Sequence, residues 1–344
     1  VAHLLVGDPF LLDPFLDRQI EIEDLLDLLL QPRRIPLLGI GLFGDVLGNQ
    51  VLDNVISGNL SGGVAISAVG SDNNVVQGNK IGVGADGVTA VGNGTSPIEG
   101  GGGPGVGIFQ GDGNQIGGLA AGDANIVAYN GGNGLQVQEG VGNRIRGNSV
   151  HSNGALGIDL DYDGVTPNDP LDPDTGGNLL QNFPTLTSAS VSGGVSVAGT
   201  INTTSSTAIK IDVYGSATCD PSGNGEGATY LGEINVTTNG SGDSPFAATF
   251  PVSPGGFWLT ATATDPAGNT SEFSACRALG CYLDFNGNGR VDVQDIMQVA
   301  ARWNNPGAYN ATYDVAPPFG SPIDIFDLIA VAEQWNALCP TFEG

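Results

Sequence analysis

One spacing recurs between residues 49 and 157 and limits the fold more than any other feature of the chain. Asn49, Val51, Asn54, Ile56, Asn59 and Gly63 stand at offsets 0, 2, 5, 7, 10 and 14, and Asn143, Ile145, Asn148, Val150, Asn153 and Gly157 repeat them. Asn74, Val76, Asn79 and Ile81 carry the first four positions. Asn114 and Ile116 open a further copy, which Asn125, Val127, Asn130 and Gly134 complete after a six-residue insertion. A short alternating run follows each glycine: Val64-Ala-Ile, Leu135-Gln-Val and Ile158-Asp-Leu.

An apolar residue two places after an Asn points inward from a strand of two or three residues. Asn tolerates the left-handed conformation of a corner, and its amide can bond to the Asn of the next coil. The pattern therefore predicts stacked coils that bury their apolar rows on one another. Four coils are visible from residue 49 on, with room for one more before it. The Gly-rich stretch 82–104, with Pro97 and Pro104, reads as a loop projecting from a corner. These repeats resemble the right-handed parallel β-helix proteins of bacterial surfaces and secretomes. The resemblance extends through Gly157-Ile-Asp-Leu-Asp-Tyr-Asp-Gly to Leu180-Gln-Asn-Phe-Pro, a tail that in such proteins leads into a β-sandwich, so the β-helix is assigned 41–182.

Before it, residues 15–30 place Ile22, Leu25, Leu26 and Leu29 at helical spacing, and Pro32 and Pro36 end the run. Segment 1–40 is thus an apolar helical piece that either caps the open end of the β-helix or packs on a neighbouring molecule. The chain starts at Val1 with no charged leader and cleavage site, which reads as a signal segment already removed. No apolar stretch is long enough to span a membrane.

From 183 to 278, alternation runs through 191–197, 209–214, 230–236, 246–250 and 257–264, with turns at Asn239-Gly and Pro266-Ala-Gly-Asn. Five to seven short strands in such a length indicate an immunoglobulin-like sandwich. The stretch Thr260–Phe273 resembles the last strands of bacterial immunoglobulin-like repeats, which implies a spacer or adhesion unit.

Segment 279–344 carries two related halves. Asp284, Asn286, Asn288, Arg290 (through its carbonyl), Asp292 and Asp295 fit the ligand positions of a twelve-residue calcium loop, with Gly289 at the sharp turn. A helix follows, with Ile296, Val299, Ala300 and Trp303 on one face. The run Asp295-Ile-Met-Gln-Val-Ala-Ala-Arg-Trp recurs as Asp327-Leu-Ile-Ala-Val-Ala-Glu-Gln-Trp. The doubled pattern resembles a type I dockerin, which implies docking to a cohesin. In the second loop Asp314, Asp324 and Asp327 remain, but Pro318 and apolar neighbours replace the middle ligands, so that site is expected to be weak or empty. A third candidate calcium loop is Asp159, Asp161, Asp163 and Gly164, with Asp169, Asp172 and Asp174 beyond it; it lacks the closing Glu of a full loop.

Charge bears on partners. Asp and Glu number 36 against 10 Lys and Arg, a net charge of -26. Such a surface repels nucleic acid and anionic lipid and favours calcium as its counter-partner. Glycine, 56 of 344 residues, is roughly twice its usual share and suits a turn-rich β-protein. Cys219, Cys276, Cys281 and Cys339 make an even count, which reads as two disulfides formed in an oxidising compartment. Three pairings can form; Cys219–Cys276 with Cys281–Cys339 would staple one domain each. Asn-x-Ser/Thr sequons, among them Asn202, Asn235 and Asn269, allow glycosylation.

Many β-helix proteins cleave polysaccharides, using a Lys or Arg base beside calcium-holding acids, or paired carboxylates. Here Lys80, Arg144 and Arg146 supply the strong cations, with both arginines expected to point outward, and His151 stands alone beside a corner. No catalytic residues are assigned. The chain is expected to be a mainly β, secreted, calcium-stabilised structural protein that joins copies of itself end to end or docks a cohesin-like partner. The alternatives are a dockerin-anchored polysaccharide lyase or hydrolase, and a monomeric carbohydrate-binding adhesin.

Overall fold

The computed structural model describes residues 38–95, 102–191, 194–252, 256, 258–279, 292–303, 329 and 331. Two compact units form. The first holds the described residues to Asn168, with Asp172–Gln181 and Thr264–Glu272. The second holds Asp169–Leu171, Asn182–Ala263 and the described residues from Phe273 on.

The first unit is a parallel β-solenoid of about five turns. Its longest sheet stacks β1 (Leu38–Phe43), β4 (Gly62–Ser67), β7 (Val106–Ile108), β10 (Leu135–Val137) and β13 (Ile158–Leu160). A second sheet stacks β2 (Gln50–Leu52), β5 (Val75–Gln77), β8 (Gln115–Gly117) and β11 (Arg144–Arg146). A third stacks β3 (Val55–Ile56), β6 (Lys80–Ile81), β9 (Ile126–Ala128) and β12 (Ser149–His151). The coil expected before residue 49 is present and begins with β1, inside the stretch assigned from sequence to the N-terminal helical segment. The rest of that segment, residues 1–37, lies outside the described residues.

The repeat positions fill the interior as their spacing predicts. Val51, Ile56, Val76, Ile81, Ile116, Val127, Ile145 and Val150 are all buried. Each fully buried side chain of this size contributes about 1.5–3 kcal/mol. The glycines before β7 and β10, Gly105 and Gly134, have a packing reason. A Cβ on Gly134 would lie 2.7 Å from Val150 Cγ1, 2.8 Å from the Gly157 carbonyl oxygen and 2.9 Å from Asn153 Nδ2.

Three asparagine ladders tie the coils together. In the first, the backbone N–H and the amide of Asn49 both donate to Asn74 Oδ1, those of Asn74 to Asn114 Oδ1, and those of Asn114 to Asn143 Oδ1, at 2.9–3.0 Å. Asn54, Asn79, Asn125 and Asn148 form the second ladder. Asn59, Asn93, Asn130 and Asn153 form the third. The spare amide hydrogen caps a carbonyl of the preceding coil, as Asn79 does for Val51 at 2.7 Å. One expectation is corrected: the twelve repeat asparagines of these ladders do not take the left-handed corner conformation. The residue before the Asn often takes it instead, as at Asp53 (φ 57), Asn73 (φ 55), Tyr129 (φ 59) and Ser152 (φ 58). The physical reason is that the ladder Asn must aim both its N–H and its side chain along the stack, so the turn falls one residue earlier.

The second unit packs two antiparallel sheets around one core. The first sheet is ordered β14 (Thr185–Val191), β15 (Val195–Asn202), β18 (Asp243–Phe250). The second is ordered β17 (Thr229–Thr237), β16 (Ala208–Ser216), β19 (Trp258–Thr264), β20 (Arg277–Ala278). Val195, Ile211, Val213, Phe246 and Leu259 lie in that core. Cys219 and Cys276 form a disulfide with Cα atoms 5.9 Å apart. One of the four cysteines' candidate pairings is thereby established; Cys281 and Cys339 lie outside the described residues.

Helix α1 (Val293–Ala300) opens with a capping box. The Asp292 side chain accepts the Gln294 N–H, and the Asp295 side chain accepts the Asp292 N–H, each at 2.8 Å. Of the face predicted from sequence, Val299 is buried and Ile296 half-buried, while Ala300 and Trp303 are exposed.

Candidate functional site

Two places on the solenoid unit concentrate functional groups: the outer face of its longest sheet, and its C-terminal exit.

On the outer face, strand register aligns Gly41, Ala65, Gly107, Gln136 and Asp159 in one row. The next outward positions include Phe43, Ser67, Phe109 and Gln138. Phe43 and Phe109 fold back over the glycines of their own strands. A Cβ on Gly41 would strike the Phe43 ring, and one on Gly107 would lie 2.8 Å from the Phe109 ring. Phe43 and Tyr162 are more than half exposed. A cleft of about 290 Å³ opens here, lined by Leu60, Ser61, Phe109, Gln136, Gln138 and Tyr162. Rings backed by glycine, beside amides that donate and accept, are suited to stacking on and bonding to sugar rings.

At the exit, the segment Thr264–Glu272 belongs to the solenoid unit and closes its last coil. Glu272 accepts the Leu160 N–H on Oε1 and the Thr166 N–H on Oε2, both at 3.0 Å. Thr270 Oγ1 accepts the Ile145 N–H at 3.0 Å, and Asn269 Oδ1 accepts the Gly142 N–H at 2.6 Å. These contacts satisfy the edge N–H groups that a terminal coil would otherwise leave bare. Asn269, 2% exposed, is thus committed to structure, which removes it as a glycan acceptor. Burial pushes Glu272 up to about 8; the two N–H bonds act against this, and the charges of Asp159 and Asp163 act with it. Burial also raises Asp159, against a 2.8 Å bond from Asn133 Nδ2 to its Oδ2.

The predicted Asp159, Asp161 and Asp163 set is split by these roles. Asp159 is buried, Asp161 Oδ1 accepts the Gly177 N–H at 2.7 Å, and Asp163 is exposed. Among the described residues, no three His, Cys, Asp or Glu side chains converge as metal ligands would. Asp292 and Asp295 are placed as helix caps; Asp284, Asn286, Asn288, Arg290, Asp314, Asp324 and Asp327 lie outside the described residues. Arg144 and Arg146 flank the interior Ile145, and of the two Arg144 is exposed while Arg146 is covered. Burial lowers the pKa of His151, whose ring meets Tyr129 edge-on at 5.7 Å.

No protein-family model and no curated protein matches the chain. Among solved structures, the enzymatically active domain of bacteriophage CBA120 tailspike protein 2 is similar at 12% identity and a TM-score of 0.22, over 70% of this chain and 52% of that one. The match therefore takes in about half of that chain's length.

Proposed function

We propose that this chain is a non-catalytic extracellular structural protein, modular and calcium-stabilised, joined end to end with its own copies or docked to a cohesin-like partner. The observation that carries the reading is the set of three asparagine ladders. They commit the interior polar groups of the repeat to holding coil against coil, so the module's design favours a fixed shape over a reactive centre. The Cys219–Cys276 bridge fits an oxidising, secreted setting. Within this reading the second unit is an immunoglobulin-like spacer, and the C-terminal segment is a dockerin-like pair of loops with calcium at Asp284–Asp295. Electron microscopy of the purified chain, in millimolar calcium and after chelation, tests it. Filaments that loosen on chelation support end-to-end assembly. Dispersed particles in both conditions, with no retention on a cohesin column, overturn it.

The outer face of the longest sheet favours a second reading, a polysaccharide-binding adhesin. Phe109 over Gly107, with Gln136 and Gln138 beside it, would take a neutral or cation-bridged glycan. Retardation in polysaccharide-containing gels that Phe109→Ala abolishes supports it. Release of new reducing ends or unsaturated sugars would instead move the reading to a lyase or hydrolase.

A further inference from the structure

Four oxygen-bearing side chains are drawn together where the solenoid ends. Asn133 precedes β10, Asp159 lies in β13, Thr166 sits in the loop after it, and Glu272 arrives on the returning segment. Asn133 Nδ2 donates to Asp159 Oδ2 at 2.8 Å, the Gly164 and Asp163 N–H groups also face the Asp159 carboxylate, and the Leu160 and Thr166 N–H groups donate to Glu272 at 3.0 Å. Asp159 is 4% exposed and Asn133 2%. Yet Asn133 Oδ1, Asp159 Oδ1 and Thr166 Oγ1 are all buried without a hydrogen-bond partner.

Three unbonded buried oxygens in one neighbourhood are unusual, because each forfeits its hydration. They also lie in a field that Asp159, Asp163 and Glu272 make mutually repulsive. A positive charge relieves both defects at once. Carboxylate, amide and hydroxyl oxygens are the donor set of a hard cation, and irregular protein-supplied geometry suits calcium better than magnesium, which keeps its waters. We propose that Asp159, Glu272, Asn133 Oδ1 and Thr166 Oγ1 bind a calcium ion that fastens the returning segment Thr264–Glu272 to the last coil. Only two acids are needed, which is consistent with the lack of a three-acid cluster among the described residues. The site is separate from the C-terminal loops and shares only Asp159 with the Asp159–Asp161–Asp163 set expected from sequence.

Hydrogen exchange on the full chain, read by mass spectrometry, tests this. Peptides covering 158–168 and 264–272 are compared in chelator, in calcium and in magnesium. Calcium at about ten times its Kd should slow opening-limited exchange there about tenfold, with magnesium giving much less. Asp159→Asn should abolish the calcium effect in both peptides, and Thr166→Val, which keeps shape but removes one oxygen, should weaken it. The wild-type comparison stands even if a variant fails to fold. Exchange unchanged by calcium in the wild type, or slowed equally by magnesium, overturns the site. Slowing at 284–295 without slowing at 158–168 overturns this site and leaves the C-terminal loops standing; the reverse supports this site and removes those loops.

Discussion

Asn178 ends the ladder that Asn143 carries: its Oδ1 accepts the Asn143 N–H at 2.9 Å, while its amide donates to the Asn143 carbonyl at 2.7 Å and the Thr270 carbonyl at 3.0 Å. The last rung is therefore closed from beyond the repeat, by a residue that also grips the returning segment.

A ladder residue in mid-stack should matter more than one at its start. Asn114 Oδ1 takes two donors from buried Asn74, and its own amide serves Asn143. Asn114→Ala strands those partners and should cost about 3 kcal/mol. The Asn49 side chain only donates, and the residue is half-buried, so Asn49→Ala should cost about 1 kcal/mol. Urea denaturation followed by circular dichroism separates the two, and equal losses would contradict the ladder's role.

The glycine before β10 should not tolerate a methyl group. Gly134→Ala would press on Val150, Asn153 and the Gly157 carbonyl at 2.7–2.9 Å, an overpacking worth about 1–3 kcal/mol. A thermal midpoint unmoved by the substitution would mean that the coils have slack.

Reduction should act on the sandwich unit. Cys219 and Cys276 are separated by 57 residues, a loop whose closure stabilises by about 4 kcal/mol in the chain-entropy account. Cys219→Ser with Cys276→Ser should lower the denaturation midpoint by that scale, and peptide mapping of the oxidised protein should recover the 219–276 bridge.

Asp86 offers a pH readout. Its carboxylate accepts from the Thr89 hydroxyl and from the Thr89 and Val88 N–H groups, which lowers its pKa from 3.8 to about 2. The folded value lies below the unfolded one, so this turn is favoured above pH 3.8 and loses that support as pH falls toward 2. The Thr89 amide resonance should titrate with a midpoint near 2; a midpoint near 4 would mean that the turn does not form in solution.

The solenoid was legible because its repeat places one residue type at each structural role. Asn93 escaped the count because the 82–104 insertion shifts its offset, although it bonds both Asn59 and Asn130. Asn178 escaped because it lies outside the five-residue rhythm, even though Leu180 follows it at the repeat's own offset of two. Glu272 could not have been found by spacing: it meets Leu160 across 112 residues, and local sequence carries no record of such a return. The acids at 159–163 could be grouped by spacing, but the partners of Asp159 and Asp161, Asn133 Nδ2 and the Gly177 N–H, lie too far along the chain for spacing to reveal.

The rungs of the first ladder are 25, 40 and 29 residues apart along the chain, and those of the third 34, 37 and 23. The stack therefore counts amides rather than residues. Whatever chain lies between two rungs is free to lengthen, shorten or change its chemistry, provided that it delivers the next asparagine to the same height. Such a protein can acquire a new surface loop without renegotiating its interior, and its corners are where novelty can be inserted at least cost to the fold.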